Sequence, residues 1–267
     1  MDIKDFLKRV SVTLIAVPLL LYIIIYGSIP FEILVAGIII ISSEELINLL
    51  KKKNPHANWW MVRLIIITEI LIGFHFSSYL GILFVLILLL LAMEIIRNVP
   101  EPGGNLSAAL FPVLYPTMLL IPLVWLRHME ANGLLTDNFV LMIFISIWAS
   151  DTFAYLGGVT FGKHRILPRV SPKKSWEGAF FGIAGGIFVW WLSASQGWIL
   201  LPMSKALFLG ALISIVAIFG DFFESLLKRD ADIKDSSHLL PGHGGILDRF
   251  DGFIFVAPAV WALVSIW

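Results

Sequence analysis

The segment Pro241–Phe253, PGHGGILDRFDGF, concentrates hydrogen-bonding groups directly before an apolar run. Asp248 and Asp251 are three residues apart, so they share one face if a helix begins by Leu247. Paired carboxylates with open coordination positions suit Mg²⁺, a hard ion that keeps waters and substrate phosphates among its ligands. The chemistry indicated is therefore that of a divalent metal acting on a phosphate compound.

The same segment carries groups suited to binding an anion. Gly244 and Gly245 allow backbone N–H groups to approach a phosphate just before a helix N-terminus, where the helix dipole favours negative charge. Arg249 can bind a phosphate through two parallel hydrogen bonds. His243 is expected to donate a hydrogen bond to substrate rather than to ligate a metal. A simpler alternative for these residues is a glycine hinge beside an Asp–Arg pair.

A second polar group precedes this segment, at the end of a long apolar run. Its members recur at i, i+3, i+4 and i+7 and so share one helical face: Asp221, Glu224, Ser225 and Lys228. An amphipathic helix end leaving a membrane would show the same spacing, so the pattern leaves both interpretations open. If the intervening loop folds back, Asp248 can approach Asp221. Lys228 and Arg229 are either substrate ligands or solvated charges at a helix end.

Asp151 lies deep in an apolar segment, with Tyr155 one turn later on the same face. A carboxylate at such depth is costly and usually faces a bundle interior or a water-filled cavity. We expect Asp151 and Tyr155 to line a substrate cavity; a structural ion pair is the alternative. Glu44, Glu45 and Glu94 instead lie near predicted helix ends, and we expect them to be carboxylates anchored at the membrane interface.

The loop after Asp151 supplies Lys163, Lys173 and Lys174 as candidate phosphate ligands. Its first part, GGVTFGKH, resembles a nucleotide-binding P-loop. However, His164 stands where the P-loop hydroxyl residue would bind Mg²⁺, and the segment follows an apolar span instead of a strand. We therefore reject a P-loop.

The composition indicates a membrane protein that holds these residues on helices. The chain of 267 residues is 58% hydrophobic and 14% charged, against about 45–50% and about 25% in soluble domains. It has no cysteine, which excludes thiolate metal sites. We predict an all-α polytopic domain over residues 1–267, with few motifs in 1–105 and the catalytic helices and loops in 139–267. About nine segments have the length of a membrane span: Val10–Tyr26, Phe31–Leu50, Trp59–Phe76, Tyr79–Ile96, Leu106–Leu126, Phe139–Gly158, Gly178–Trp198, Ala206–Leu227 and Leu247–Ile266.

The positive charges predict the orientation of this bundle. With nine spans, all but two of the 19 Lys and Arg residues fall on the side of the N-terminus, the exceptions being Arg127 and Lys205. Cytoplasmic loops of membrane proteins carry such an excess. We therefore expect a cytoplasmic N-terminus and an active site that faces the cytoplasm.

The segment Ser225–Asp251, SLLKRDADIKDSSHLLPGHGGILDRFD, closely resembles the signature of the phosphatidate cytidylyltransferases, or CDP-diacylglycerol synthases. The stretch that begins SDTFAYLGG is similar to a second conserved block of that family. The signature positions occupied here are Ser225, Lys228, Arg229, Lys234, Asp235, Leu240, Pro241, His243, Gly244, Gly245, Asp248, Arg249 and Asp251.

This resemblance implies a reaction of CTP with phosphatidate that gives CDP-diacylglycerol and pyrophosphate at the cell membrane, with Mg²⁺ required. It also implies a homodimer and a two-metal centre with a second cation, at aspartates that correspond to Asp221 and Asp248. Asp251 is a further metal ligand or a partner of Arg249. Residues expected to act in catalysis are Asp221, Asp248, Lys173, Lys174 and Arg249. Residues expected to bind substrate are Ser225, Lys228, Arg229, His243, Gly244, Gly245, Asp151, Tyr155 and Lys163.

Two other functions fit some of these sequence features. Nucleic acid is not expected as a partner. A CTP-dependent kinase of a membrane polyprenol or similar lipid would share the nucleotide, the metal and the topology, but it would release CDP. An ion-coupled transporter could use Asp151 and Asp221 as ion sites in broken helices. Against transport, the chain shows no repeated halves, and its charge concentrates on one face.

Overall fold

A computed structural model describes residues 3–75, 79–237, 239 and 244–267, with the backbone alone for residues 3–13 and 15. Every long regular element in these ranges is a helix. In chain order the helices are α1 (Ile3–Tyr26), α2 (Ser28–Lys51), α3 (Trp59–Gly73), α4 (Tyr79–Arg97), α5 (Pro102–Pro112), a π-helical segment (Val113–Met118), α6 (Leu119–Ala131), α7 (Phe139–Phe161), α8 (Trp176–Ser195), α9 (Met203–Asp230) and α10 (Leu247–Val264).

The all-α membrane class is confirmed. Six helical stretches in the described part of the chain are long and apolar enough to cross a bilayer, counting α5 through α6 as one stretch of 30 residues. The other predicted segments also fall on helices, but α3 has 15 residues, roughly 22 Å at 1.5 Å per residue, against a hydrocarbon core of about 30 Å. The number nine therefore stays a prediction.

The stretch from α5 to α6 bends at the π-helical segment, where prolines interrupt the backbone hydrogen bonding. Thr117 lies at the bend, and its hydroxyl donates to the carbonyl of Pro112 at 2.9 Å. The same hydroxyl is 3.0 Å from that of Ser43 in α2. These bonds satisfy polar groups that cannot reach water and hold α2 against the bend.

Helices α7 to α10 approach one another closely at small residues. A side chain at Gly210 of α9 would place its Cβ 2.7 Å from the backbone oxygen of Gly186 in α8, so both positions require glycine. Gly220 of α9 likewise leaves room for the backbone oxygen of Asp251 in α10. Small residues of this kind allow close helix packing in membranes. The packing fixes the positions of Asp221 and Asp251 on adjacent helices.

Candidate active site

A cavity of about 470 Å³ opens between α7, α8, α9 and the loop that joins α7 to α8. This volume lies within the range of about 300–1,000 Å³ that is usual for small-molecule sites. The cavity wall brings together five residues that the sequence analysis proposed: Asp151, Tyr155, Lys173, Lys174 and Asp221. Two carboxylates and two ammonium groups thus face one space at the end of α7.

A second, smaller cavity of about 30 Å³ lies next to the first and shares Asp151 and Asp221 with it. Arg249 and Asp251, both on α10, complete its polar wall. A space of this size holds one or two water molecules or a small cation. Three carboxylates from three helices provide the oxygen ligands that Mg²⁺ prefers.

Lysines neutralise the two aspartates that the resemblance marks as a metal pair. Lys174 forms an ion pair with Asp221, and its Nζ lies 4.7 Å from the ring centroid of Phe222. Lys228 Nζ lies 3.0 Å from Asp248 Oδ1 and 2.7 Å from Glu224 Oε2. Each aspartate therefore already holds a cationic group at its carboxylate.

Asp248 also organises the loop that precedes α10. Its carboxylate accepts hydrogen bonds from the backbone N–H of Gly245 at 2.7 Å and of Ser236 at 3.1 Å. Asp248 is absent from the described walls of both cavities. The structure thus groups Asp221 with Asp151 and Asp251, and the metal role of Asp248 stays a prediction.

Glu45 of α2 is a site residue that the sequence analysis missed. Its carboxylate accepts hydrogen bonds from the backbone N–H groups of Ile246 at 3.1 Å and Leu247 at 2.8 Å. It also accepts from the hydroxyls of Ser236 at 3.0 Å and Ser237 at 2.5 Å. A carboxylate at this position accepts hydrogen bonds from N–H groups that have no partner within α10. Its negative charge also interacts favourably with the dipole at the N-terminus of α10.

The expectation of an interface anchor is therefore wrong for Glu45, which is only 6% exposed, and for Glu94, which is only 4% exposed and pairs with Arg97 at 2.9 Å. Glu44, the neighbour of Glu45, is 42% exposed and pairs with Arg63, as an interface residue would. The sequence carried only an indirect signal: at 3.6 residues per turn the adjacent glutamates point about 100° apart, so Glu44 and Glu45 face different surroundings.

The loop that contains Gly244 and Gly245 directs its backbone N–H groups toward the carboxylates of Glu45 and Asp248. A Cβ at Gly245 would lie 2.5 Å from Glu45 Oε2, and Gly244 has a positive φ of 80°. Since the N–H groups from Gly245 to Leu247 donate to Asp248 and Glu45, phosphate binding by this loop stays a prediction. His243 lies outside the described residues, as do Pro241 and Gly242.

The loop between α7 and α8 folds back on itself and sets the cavity lysines. Arg165 pairs with Ser175 in an antiparallel bridge, and its Nη1 donates to the carbonyl of Lys173 at 2.7 Å. Glu177 accepts from the backbone N–H of Lys163 at 3.1 Å. Among the described residues of this loop, Lys173 and Lys174 line the cavity, whereas Lys163 does not.

The remaining proposed residues have local partners. The hydroxyl of Ser225 is 3.5 Å from Asp221 Oδ1. Arg229 donates to the carbonyls of Val170 at 3.3 Å and Ile233 at 3.1 Å, and so ties the α7–α8 loop to the chain after α9. Neither side chain lies on a described cavity wall. In this structure Arg229 holds loops together, a role that the sequence did not indicate.

These features define a helical membrane protein with a polar cavity that is suited to phosphate groups and a divalent cation. The cytidylyltransferase family model matches residues 7–267, and the chain belongs to that family. The chain is 30% identical over 273 residues to the phosphatidate cytidylyltransferase of Bacillus subtilis (strain 168), covering 98% of both chains. It is 35% identical over 243 residues to the enzyme of that name from Thermotoga maritima, covering 87% of each chain. The Pseudomonas aeruginosa phosphatidate cytidylyltransferase is 35% identical over 199 residues, with 72% of each chain covered.

Proposed function

We propose that this protein transfers the cytidylyl group of CTP to phosphatidate, giving CDP-diacylglycerol and pyrophosphate for phospholipid synthesis. The observation that carries the proposal is the polar cavity, in a cytidylyltransferase-family chain whose flanking helices are long enough to span a bilayer. This cavity places carboxylates and lysines beside helices that are long and apolar enough to lie in lipid. An ion-coupled transporter is not favoured, because the chain belongs to the cytidylyltransferase family.

The phosphate of phosphatidate is already an anionic nucleophile, so the reaction needs no covalent enzyme intermediate. One of its oxygens attacks the α-phosphorus of CTP, and a P–O bond forms as the bond to the departing pyrophosphate breaks. Catalysis of this kind rests on positioning and charge neutralisation. The protein must therefore hold two anions in contact within one cavity.

The residues of the smaller cavity fit Mg²⁺, because Asp151, Asp221 and Asp251 offer hard oxygen ligands around a space of about 30 Å³. When bound there, the ion supplies positive charge that offsets the repulsion between the substrates and stabilises pyrophosphate as it leaves. Asp248 would ligate the second cation of a two-metal centre. That role requires Lys228 to release Asp248 Oδ1.

The cationic residues bind the triphosphate and the lipid phosphate. Lys173 and Lys174 lie on the wall of the larger cavity, and Arg249 lies on that of the smaller one. Tyr155 and Val159, each 71% exposed, line the larger cavity from α7. This apolar flank gives the acyl chains a lateral path to the bilayer while the headgroup stays among the charges.

The site faces the cytoplasm, where CTP is available, and the protein works as a homodimer in the cell membrane. The orientation rests on the one-sided distribution of Lys and Arg. The bacterial origin of the relatives supports the inner membrane.

The product assay tests the function directly. Purified protein in detergent receives phosphatidate, a polyprenol, Mg²⁺ and CTP labelled at either the α- or the γ-phosphorus. Cytidylyl transfer places the α-label in the lipid and the γ-label in pyrophosphate. Lipid kinase activity would instead place the γ-label in the lipid and release CDP, and that result would overturn the proposal.

Lys173→Met is expected to raise the KM for CTP about tenfold, which corresponds to roughly 1.4 kcal/mol of lost binding. The reason is that the Lys173 ammonium lies on the cavity wall, where it can pair with a phosphate. Lys163→Met is the matched control, and less than a twofold change is expected, since Lys163 lies outside the described wall. Equal effects of the two variants would contradict the assignment.

A further inference from the structure

Glu32, His75 and His128 meet at the end of α2 that lies away from Glu45. Glu32 Oε1 is 2.8 Å from His128 Nε2, and Glu32 Oε2 is 3.3 Å from His75 Nε2. One nitrogen of each histidine and a carboxylate oxygen all lie within 4.8 Å of one another. The three side chains come from α2, from the chain just after α3, and from α6.

The two imidazole rings are stacked and present the same edge to the carboxylate. Their centroids are 5.6 Å apart, with 20° between the ring planes. Trp125 of α6 donates its Nε1–H to the carbonyl of Gly73 at 2.7 Å, which joins α6 to the end of α3 two residues before His75. This bond holds together the two chain segments that carry His75 and His128.

This cluster is remote from the active site. Glu32 and Glu45 are on the same helix, separated by roughly 20 Å at a rise of 1.5 Å per residue. Glu45 contacts the loop before α10, whereas the cluster lies at the opposite end of α2. The nearby Arg127 pairs with Glu130 at 2.6 Å, which offsets its positive charge.

We propose that Glu32, His75 and His128 form a binding site for a divalent transition-metal ion, with Zn²⁺ as the best match. Two imidazole nitrogens and one carboxylate oxygen suit Zn²⁺, whereas Mg²⁺ and Ca²⁺ prefer oxygen ligands throughout. A tetrahedral ion with bonds of about 2.0–2.1 Å places its ligand atoms about 3.3 Å apart, and water fills the fourth position.

The observed separations are close to this geometry. The two histidines approach different oxygens of Glu32, at 2.8 and 3.3 Å, and one ligand atom from each of the three residues lies within 4.8 Å of the others. Small rotations of the three side chains would bring these atoms to the spacing that the ion requires. The side chains of His75 and His128 are 52% and 33% exposed, so an ion can reach them from solvent. A bound ion would cross-link α2, the chain just after α3, and α6.

The test uses full-length protein in detergent, purified through a tag without histidines and stripped with a chelator. Zn²⁺ is titrated in the presence of millimolar Mg²⁺, which occupies carboxylate sites, and the bound metal is counted by mass spectrometry. We expect one Zn²⁺ per chain, with thermal unfolding shifted to higher temperature. X-ray absorption at the zinc edge should show imidazole nitrogen ligands.

His75→Ala, His128→Ala and Glu32→Gln should each weaken Zn²⁺ binding by more than about tenfold, the loss typical even of outer-shell partners. His56→Ala is the matched control, because His56 is exposed and distant from the cluster in sequence. Asp221→Asn tests the active site and should leave this Zn²⁺ bound. Glu32→Gln keeps the size of the side chain, so a folded variant is available if a histidine variant fails to fold.

Two results would overturn the proposal. One is that wild-type protein binds no Zn²⁺ at micromolar concentrations when Mg²⁺ is present. The other is that Asp221→Asn removes the bound Zn²⁺ while His75→Ala and His128→Ala retain it. Either result would mean that the cluster is a hydrogen-bonded triad in which Glu32 accepts from both histidines.

Discussion

Asp221→Asn is expected to abolish Mg²⁺-dependent formation of CDP-diacylglycerol, with kcat lowered by about 10³-fold or more, or about 4 kcal/mol in the barrier. Asp221 lines both cavities, and it is the partner of Lys174. Asparagine has the same size but no negative charge, so a bound cation would lose a charged ligand and Lys174 loses its ion-pair partner. Turnover of labelled CTP at saturating Mg²⁺ measures the effect.

Asp230→Asn is the matched control for this variant. Asp230 ends the same helix, is 74% exposed and pairs with Lys53 at the surface, so activity should stay within twofold of wild type. Near-wild-type turnover by Asp221→Asn would show that the metal assignment is wrong.

The same assay on Asp248→Asn tests whether Asp248 ligates the second cation. A ligand role predicts a higher Mg²⁺ concentration for half-maximal activity, whereas a role in the loop leaves that concentration unchanged.

The sequence predicted the cavity residues because the cost of burying charge restricts where they can lie. Asp151 and Asp221 interrupt apolar runs, and such carboxylates must face a polar interior. Lys173 and Lys174 follow in the adjoining loop, within reach of the same space. Helix type and the cavity position of Asp151 could therefore be inferred from pattern alone, whereas the spacing around Asp221 left a helix end at the membrane surface equally open.

The sequence could not show which of Asp248 and Asp251 on α10 lies beside Asp221 on α9. A spacing of three places Asp248 and Asp251 near one face, but the rotation of α10 decides which carboxylate turns toward Asp221. That rotation is set by the close contact of Gly220 with the backbone of Asp251. Such contacts depend on helix packing across the bundle, for which the local sequence carries no signal.

The first third of the chain, which has few motifs, also contributes to the site through a contact that only helix packing creates. Glu45 and the start of α10 are separated by about 200 residues, as in the bond from Leu247 N–H to Glu45, 202 positions apart. No periodicity or spacing connects such distant residues. The glutamate is recognisable as part of the site only when α2 is packed beside α10.

Glu45→Gln is expected to lower kcat for CDP-diacylglycerol formation about 10²-fold while the protein stays folded in detergent. The carboxylate accepts four hydrogen bonds that fix the loop and the first turn of α10, and Asp248, Arg249 and Asp251 follow directly. Glutamine removes the charge and turns one acceptor into a donor that faces N–H groups. Charge-assisted bonds of this kind contribute about 1.5–3 kcal/mol each.

Glu44→Gln provides the control, because it makes the same change one residue earlier at a partly exposed ion pair with Arg63. Exposed pairs contribute about 0–1 kcal/mol, so its turnover should stay close to that of wild type. Because Glu45 lines neither described cavity and holds the loop that carries other residues, Glu45→Gln should lower kcat more than it changes the KM for CTP or the Mg²⁺ requirement. If the two glutamine variants have equal turnover, α10 does not depend on α2 for its catalytic position. A Glu45→Gln variant that loses only thermal stability would lead to the same conclusion, with Glu45 acting as a helix cap and nothing more.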